Sequence, residues 1–172
     1  MLSSTRHGKK RIGDAMKGFA GKRTVRSYTM HIEAPPDAVF PLLCPTKEYE
    51  WIDRWECKMV YSDSGFADLD CIFETNFPGE GPDIWVISRY EPPAEIQFIR
   101  VNDSRAMRFS ISLDDGGAGT TRAIWKQVLT GLTPEGNKLV EALSDEQYAT
   151  EMKTLELKLN HFLRTGNMLP WG

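Results

Sequence analysis

Few residues in this chain of 172 have the type and spacing that bond-making chemistry requires. The three histidines, His7, His31 and His161, are far apart, and none has a partner at metal-ligand spacing. Cys44, Cys57 and Cys71 are odd in number and form no C-x-x-C pair, which argues for reduced thiols rather than a zinc site or a disulfide framework. The sequence contains no nucleophile elbow, H-E-x-x-H helix, phosphate-cradling loop or dinucleotide fingerprint. Gly116, Gly117 and Gly119 read as a hairpin turn. The expectation is therefore no metal, no cofactor and no catalytic residue. What remains is recognition chemistry. Arg89 and Arg100 lie in apolar segments, where each would either reach a ligand carboxylate or join a cross-strand surface pair. Tyr28 and Tyr148 offer phenolic hydrogen bonds to a ligand or to the backbone. Gln127 is a polar group among large apolar neighbours.

The elements that must position these groups follow from periodicity. In Arg26–Glu33, Tyr28, Met30 and Ile32 alternate with Ser27, Thr29, His31 and Glu33, as in a half-buried strand with His31 facing solvent. Pro36 suits a first helical turn, and Ala38, Val39, Phe40, Leu42 and Leu43 give that helix an apolar face. A second short helix is expected over 46–52, ending in an aromatic cluster of Tyr49, Trp51 and Trp55, in which Trp51 and Trp55 would be either a lid on a pocket or, as the favoured reading, a cap on the core. Six strand-like runs follow, at 56–62, 68–76, 83–90, 95–101, 105–113 and 120–130, separated by Gly, Pro, Asn and Asp clusters. No helix-length segment interrupts them, so the sheet is an antiparallel meander. In 84–90 both faces are apolar (Ile84, Val86 and Tyr90 against Trp85 and Ile87), so either face can line the interior and the other can be a homodimer contact.

The last third is helical. Thr133-Pro134 opens one helix, and Ser144-Asp145-Glu146-Gln147 is a capping box for a longer one that ends at Gly166. At 1.5 Å per residue, residues 144–165 reach ~33 Å, enough to cross a sheet. Tyr148, Met152, Leu155, Leu159 and Phe162 form its apolar stripe, with Glu151, Lys153, Lys158 and Arg164 opposite and His161 off the stripe.

Charge is distributed unevenly. Residues 1–26 carry a net +7 and the remainder −10. An acidic body is a poor surface for nucleic acid. Residues 1–23 read as a basic extension in which Ile12, Met16 and Phe19 could still mark a short amphipathic helix. Residues 24–166 then form one domain and 167–172 a short tail. No apolar run is long enough for stable membrane insertion and no secretory leader is evident, so the expected location is the cytoplasm.

Ile32-Glu33-Ala34-Pro35-Pro36-Asp37-Ala38-Val39-Phe40 resembles the opening of START/SRPBCC proteins, especially the polyketide cyclase/dehydrase-like group. Tyr90-Glu91-Pro92-Pro93, Gly119–Trp125 and Gly131–Gly136 resemble the same group, and the likeness spans about residues 24–166. It implies an α+β helix-grip fold: a seven-stranded antiparallel sheet curved around a long C-terminal helix, with two short helices between strands 1 and 2. It also implies an apolar cavity between sheet and helix, which the superfamily uses for lipids, sterols, polyketides and plant hormones. Some members catalyse cyclisation or dehydration, others carry or sense a ligand, and others assist chaperones. Nothing matches the Rieske-coupled branch.

A curved sheet of this width has more hollow than a single helix can fill. The expected ligand-binding residues are Tyr28, Met30, Trp85, Phe109, Trp125, Gln127, Tyr148, Met152 and Leu155. Apolar walls with sparse polar anchors describe a site for a small hydrophobic molecule. Three readings stand: a binding or carrier module, a cyclase- or dehydratase-like enzyme, and a protein-interaction module with a filled core.

Overall fold

Alternation along the first strand, β1 (Arg23–Ile32), sends Arg26, Met30 and Ile32 inward and leaves Tyr28 half-buried on the same face. The computed structural model describes residues 18–170. The basic segment 1–17 and the last two residues lie outside them. Pro35 is extended and Pro36 opens a single turn, α1 (Pro36–Val39), which tightens into a 3-10 turn at Phe40–Leu43. The helix expected over 46–52 is reduced to a 3-10 turn at Glu48–Glu50. Two indoles account for the difference. Trp51 donates to the Leu42 carbonyl at 2.9 Å and Trp55 to the Pro45 carbonyl at 2.8 Å, which folds this segment back on the preceding turn.

The meander follows as β2 (Lys58–Tyr61), β3 (Ile72–Phe77), β4 (Gly81–Glu91), β5 (Glu95–Val101), β6 (Arg105–Gly117) and β7 (Thr120–Gly131). The sheet order is β1-β7-β6-β5-β4-β3-β2, and every pairing is antiparallel. In β4 the ambiguity of faces resolves. Asp83, Trp85 and Ile87 point inward, while Ile84 stays 49% exposed. Register shifts between Ile87 and Arg89, so Ser88 is an extra residue that breaks the alternation. Tyr90, grouped by periodicity with Ile84, thereby comes to pack against Phe40, with ring centroids 5.5 Å apart.

The C-terminal helices are α2 (Pro134–Ala142), capped by Thr133, and α3 (Asp145–Thr165). The Ser144/Gln147 capping box forms at the start of α3, and Gly166, at φ 68°, ends it. The place where α3 lies decides the architecture. β1 is an edge strand, and polar side chains of α3 satisfy its open backbone groups. Glu156 accepts from the His31 N–H at 2.7 Å. Asn160 accepts from the Glu33 N–H at 2.8 Å and donates to the His31 carbonyl at 2.9 Å. The helix is thus fastened along one edge of the sheet, and the concave face over β3–β6 is left to other side chains. Replacing Asn160, itself 8% exposed, by leucine removes both of its bonds to the backbone of this edge. The expected loss is about 1–3 kcal/mol, read as an earlier midpoint in urea unfolding.

Lys158 requires a correction. Helical periodicity puts it on the solvent side, yet it is 1% exposed: its ammonium pairs with Asp53 and donates to the Leu169 carbonyl at 3.0 Å. The loop after the 3-10 turns and the returning C-terminal tail cover that helix face, and a single-element period cannot register either. No described helix is long and apolar enough to cross a membrane.

Candidate functional site

Because α3 lies along β1, a cavity of about 210 Å³ remains over the other strands. β3 contributes Phe73 and Phe77, β4 Trp85, β5 Phe98 and Arg100, β6 Phe109 and Ile111, and β7 Trp125. The 3-10 segment adds Glu48, Ile52 and Trp55, the β3–β4 turn adds Glu80, and α3 supplies Leu155. Alternation on five successive strands brings these side chains to one face, and mutual packing fixes the rings. Phe73 stacks on Trp85 at 5.4 Å, and Phe98 meets both edge-on at 6.3 and 5.9 Å. Phe109 and Trp125 are 5.4 Å apart. A larger hollow, about 480 Å³, lies at the end of the sheet between 80–84 and 101–104, but turn residues wall it and no aromatic side chain lines it.

One end of the cavity is charged. Asp83, whose side chain is fully buried, accepts from Arg100 Nε at 2.9 Å, from Arg105 at 2.9 Å and from Asn102 at 2.8 Å. Glu80 pairs with both arginines. Burial alone would raise the Glu80 carboxyl, but Arg100 and Arg105 outweigh it and hold the group below its ordinary range. The Arg100 guanidinium lies 4.7 Å over the Trp85 ring. The two arginines and two carboxylates balance, so this end is polar without net charge.

Glu48 differs. Its carboxyl has no hydrogen-bond or ion-pair partner among the described residues, and the half-buried residue stands at the border of the cavity. Burial pushes this carboxyl well above the usual carboxylate range. The linkage follows from the sign. A carboxyl that is harder to ionise folded than unfolded costs stability once pH passes the ordinary glutamate value, about 4.3. The cost grows until the folded group itself ionises. Glu48→Gln is therefore expected to raise the melting temperature at neutral pH and to have no such effect below pH ~4. Melting curves at the two pH values check it.

Of the sequence-predicted site residues, the structure brings Trp85, Phe109, Trp125 and Leu155 together around the cavity. The other five lie elsewhere. Met30, Tyr148 and Met152 are buried in the core, and half-buried Tyr28 donates to Glu156 at 2.9 Å. Gln127 is buried on β7, in register between Arg26 and Phe109. The Tyr148 hydroxyl is buried without a partner, and burial pushes it up to about 12. Arg100 takes the inward fate left open for it, whereas Arg89 sits outside with Glu91 and Glu95. Trp51 is fully buried core, and Trp55 is a cavity wall. Phe73 and Phe98 were legible as inward positions of alternating strands. Glu48 was not, because it stands in a segment that periodicity assigned to a helix.

No family model and no curated protein sequence matches the chain. Solved structures do. Norcoclaurine synthase from Thalictrum flavum, in complex with dopamine and hydroxybenzaldehyde, superposes with a TM-score of 0.62 at 12% identity, over 96% of this chain and 98% of that one. Mll3558 from Rhizobium loti gives 0.61 at 12% identity, over 83% and 99%. DynU16, from the dynemicin biosynthetic locus, gives 0.57 at 14% identity; 83% of this chain matches about half, 48%, of that one. These likenesses, with the strand order and the long terminal helix, establish the architecture: the chain has the helix-grip fold.

Proposed function

We propose that this protein binds a small hydrophobic molecule in the cavity over β3–β7. The carrying observation is the cavity itself, about 210 Å³ walled by seven aromatic and aliphatic positions of the sheet with Leu155, Ile52 and Trp55 above them. Its size narrows the ligand class. An apolar cavity of about 150 Å³ takes benzene, and drug-sized ligands occupy about 300 Å³ or more. One ring with a short substituent fits, whereas a sterol or a long acyl chain needs more room. The norcoclaurine synthase complex holds single-ring compounds on the same fold, which supports this reading.

A cyclase- or dehydratase-like enzyme is the second reading. The unpartnered Glu48 carboxyl on the cavity wall favours it, since a desolvated acid is the group that proton transfer uses. A protein-interaction module with a filled core fits less well, because the interior retains this space. Native mass spectrometry of the purified protein, followed by titration with substituted benzenes, is the test. Saturable one-to-one binding is expected, and the absence of binding by every single-ring compound would sink the proposal.

A further inference from the structure

The charged end of the cavity keeps a donor and an acceptor uncommitted, side by side. Arg100 is 8% exposed, and its guanidinium lies 4.7 Å from the Trp85 ring and 6.0 Å from the Phe77 ring, both of them cavity walls. Its Nε and Nη2 are engaged by Asp83 and Glu80, whereas Nη1 makes no hydrogen bond. The Trp125 indole nitrogen and Arg105 Nε are unpaired as well, but both are sealed off and have nothing to offer a ligand. Arg100 Nη1 is not sealed in that way, and the surface that Arg100 keeps borders the cavity. Glu80 lines the same space. Its Oε2 accepts from both arginines, which holds the carboxylate charged, and its Oε1 accepts from neither.

We infer that the Arg100–Glu80 pair is the polar end of the ligand site, and that it selects a hydroxylated single ring, a phenol, over rings that can only accept and over ions of either sign. This rests on the binding function proposed above. A hydroxyl has one proton to give and lone pairs to accept with, so it satisfies both members of the pair at once. An ether or ketone oxygen accepts from Arg100 but brings no proton for Glu80. A carboxylate would suit Arg100, yet it meets Glu80 and Asp83, which already balance the two guanidiniums. An ammonium would suit Glu80, yet it meets Arg100, which already lies on the Trp85 face that would otherwise attract a cation. Hydrogen bonds to charged partners are the stronger kind, so they offset the hydration that the hydroxyl gives up on entering.

The test titrates the full chain at neutral pH with phenol, toluene, anisole, benzoate and benzylammonium. Toluene puts a methyl in place of the hydroxyl, and anisole keeps the oxygen but has no proton to donate. Without polar partners toluene should bind more tightly than phenol, because the hydroxyl must shed water. With them, phenol is expected to bind roughly tenfold more tightly than toluene or anisole, and more tightly than either ion. Glu80→Leu removes the acceptor and leaves the two guanidiniums one negative charge short. In that variant the preference for phenol should vanish and benzoate should gain at least about tenfold relative to phenol, a reversal that lost stability cannot imitate. Melting curves establish that the variant is folded; should it not fold, the wild-type series decides alone. Toluene or anisole binding as tightly as phenol overturns the inference while leaving the binding function intact. So does tightest binding of either ion by the wild type, or a folded Glu80 variant with unchanged preferences. If none of the probes binds, both fall.

Discussion

Asp83→Ala is expected to cost about 3–5 kcal/mol, because it leaves two guanidiniums facing each other in a buried position. Asp83 holds Arg100 Nε and an Arg105 nitrogen through one carboxylate, and all three side chains are 10% exposed or less. Glu80 alone cannot replace it, since its side chain is 41% exposed and joins the pair from the outer side. A domain of this size has about 5–15 kcal/mol in total, so the variant should unfold at a much lower urea concentration. The contrast is informative. Replacing Asp83, Arg100 and Arg105 together by leucine and methionine removes the charges as a set, and buried ionic clusters so replaced are often neutral or stabilising. If the single variant loses most of its stability and the triple variant recovers much of it, the cost lies in the stranded charge. If both lose the same amount, the cluster contributes through packing and the electrostatic account fails. The same cluster predicts acid sensitivity. Glu80 is held below its ordinary range, so its contribution is present above pH ~4.3 and fades as pH falls toward its folded value.

Why this cluster escaped a sequence reading is plain from its geometry. Asp83 occupies an inward strand position, and alternation of apolar residues gives no reason to place a carboxylate there. Its partners come from β5 and from the first residue of β6, so the justification is entirely non-local. The same holds for Lys158, buried by Asp53 and the tail, and for Tyr90, whose face depends on one extra residue at Ser88. Signals carried within one element were legible: the β1 alternation, the Ser144 capping box, Gly166, and the antiparallel meander bounded by turn residues. Part of the cavity was legible for a related reason. Trp85, Phe109 and Trp125 lie on the faces that pairing in register sends inward. Tyr28, Met30, Tyr148 and Met152 were assigned to the cavity on the assumption that the helix crosses the middle of the sheet. Glu156 and Asn160 instead fasten it to the β1 edge, and those residues become the seam between helix and strand. Two polar side chains on the helix thus decided where the hollow would be, and no hydrophobic pattern encodes that choice.

The position of α3 also supplies the sharpest test of the cavity as the binding site. Leu155 is the one helix residue on its wall, so enlarging it pushes volume into the hollow without disturbing the strands. Leu155→Trp is expected to abolish saturable binding of single-ring probes, lowering affinity at least about tenfold. The stability change should be small, because the new ring enters existing space rather than a packed region, where overpacking costs about 1–3 kcal/mol. Leu157→Trp is the matched control. Leu157 is 55% exposed on the outer side of the same helix, so adding an indole there changes composition, helix propensity and absorbance equally but leaves the cavity as it was. Titration of both variants with acetophenone, alongside urea unfolding, separates the outcomes. Loss of binding in the Leu155 variant alone, with near-native stability, locates the ligand between helix and sheet. Retained binding in that variant would mean that the ligand sits elsewhere, because two rings cannot share a space of about 210 Å³ that accommodates one.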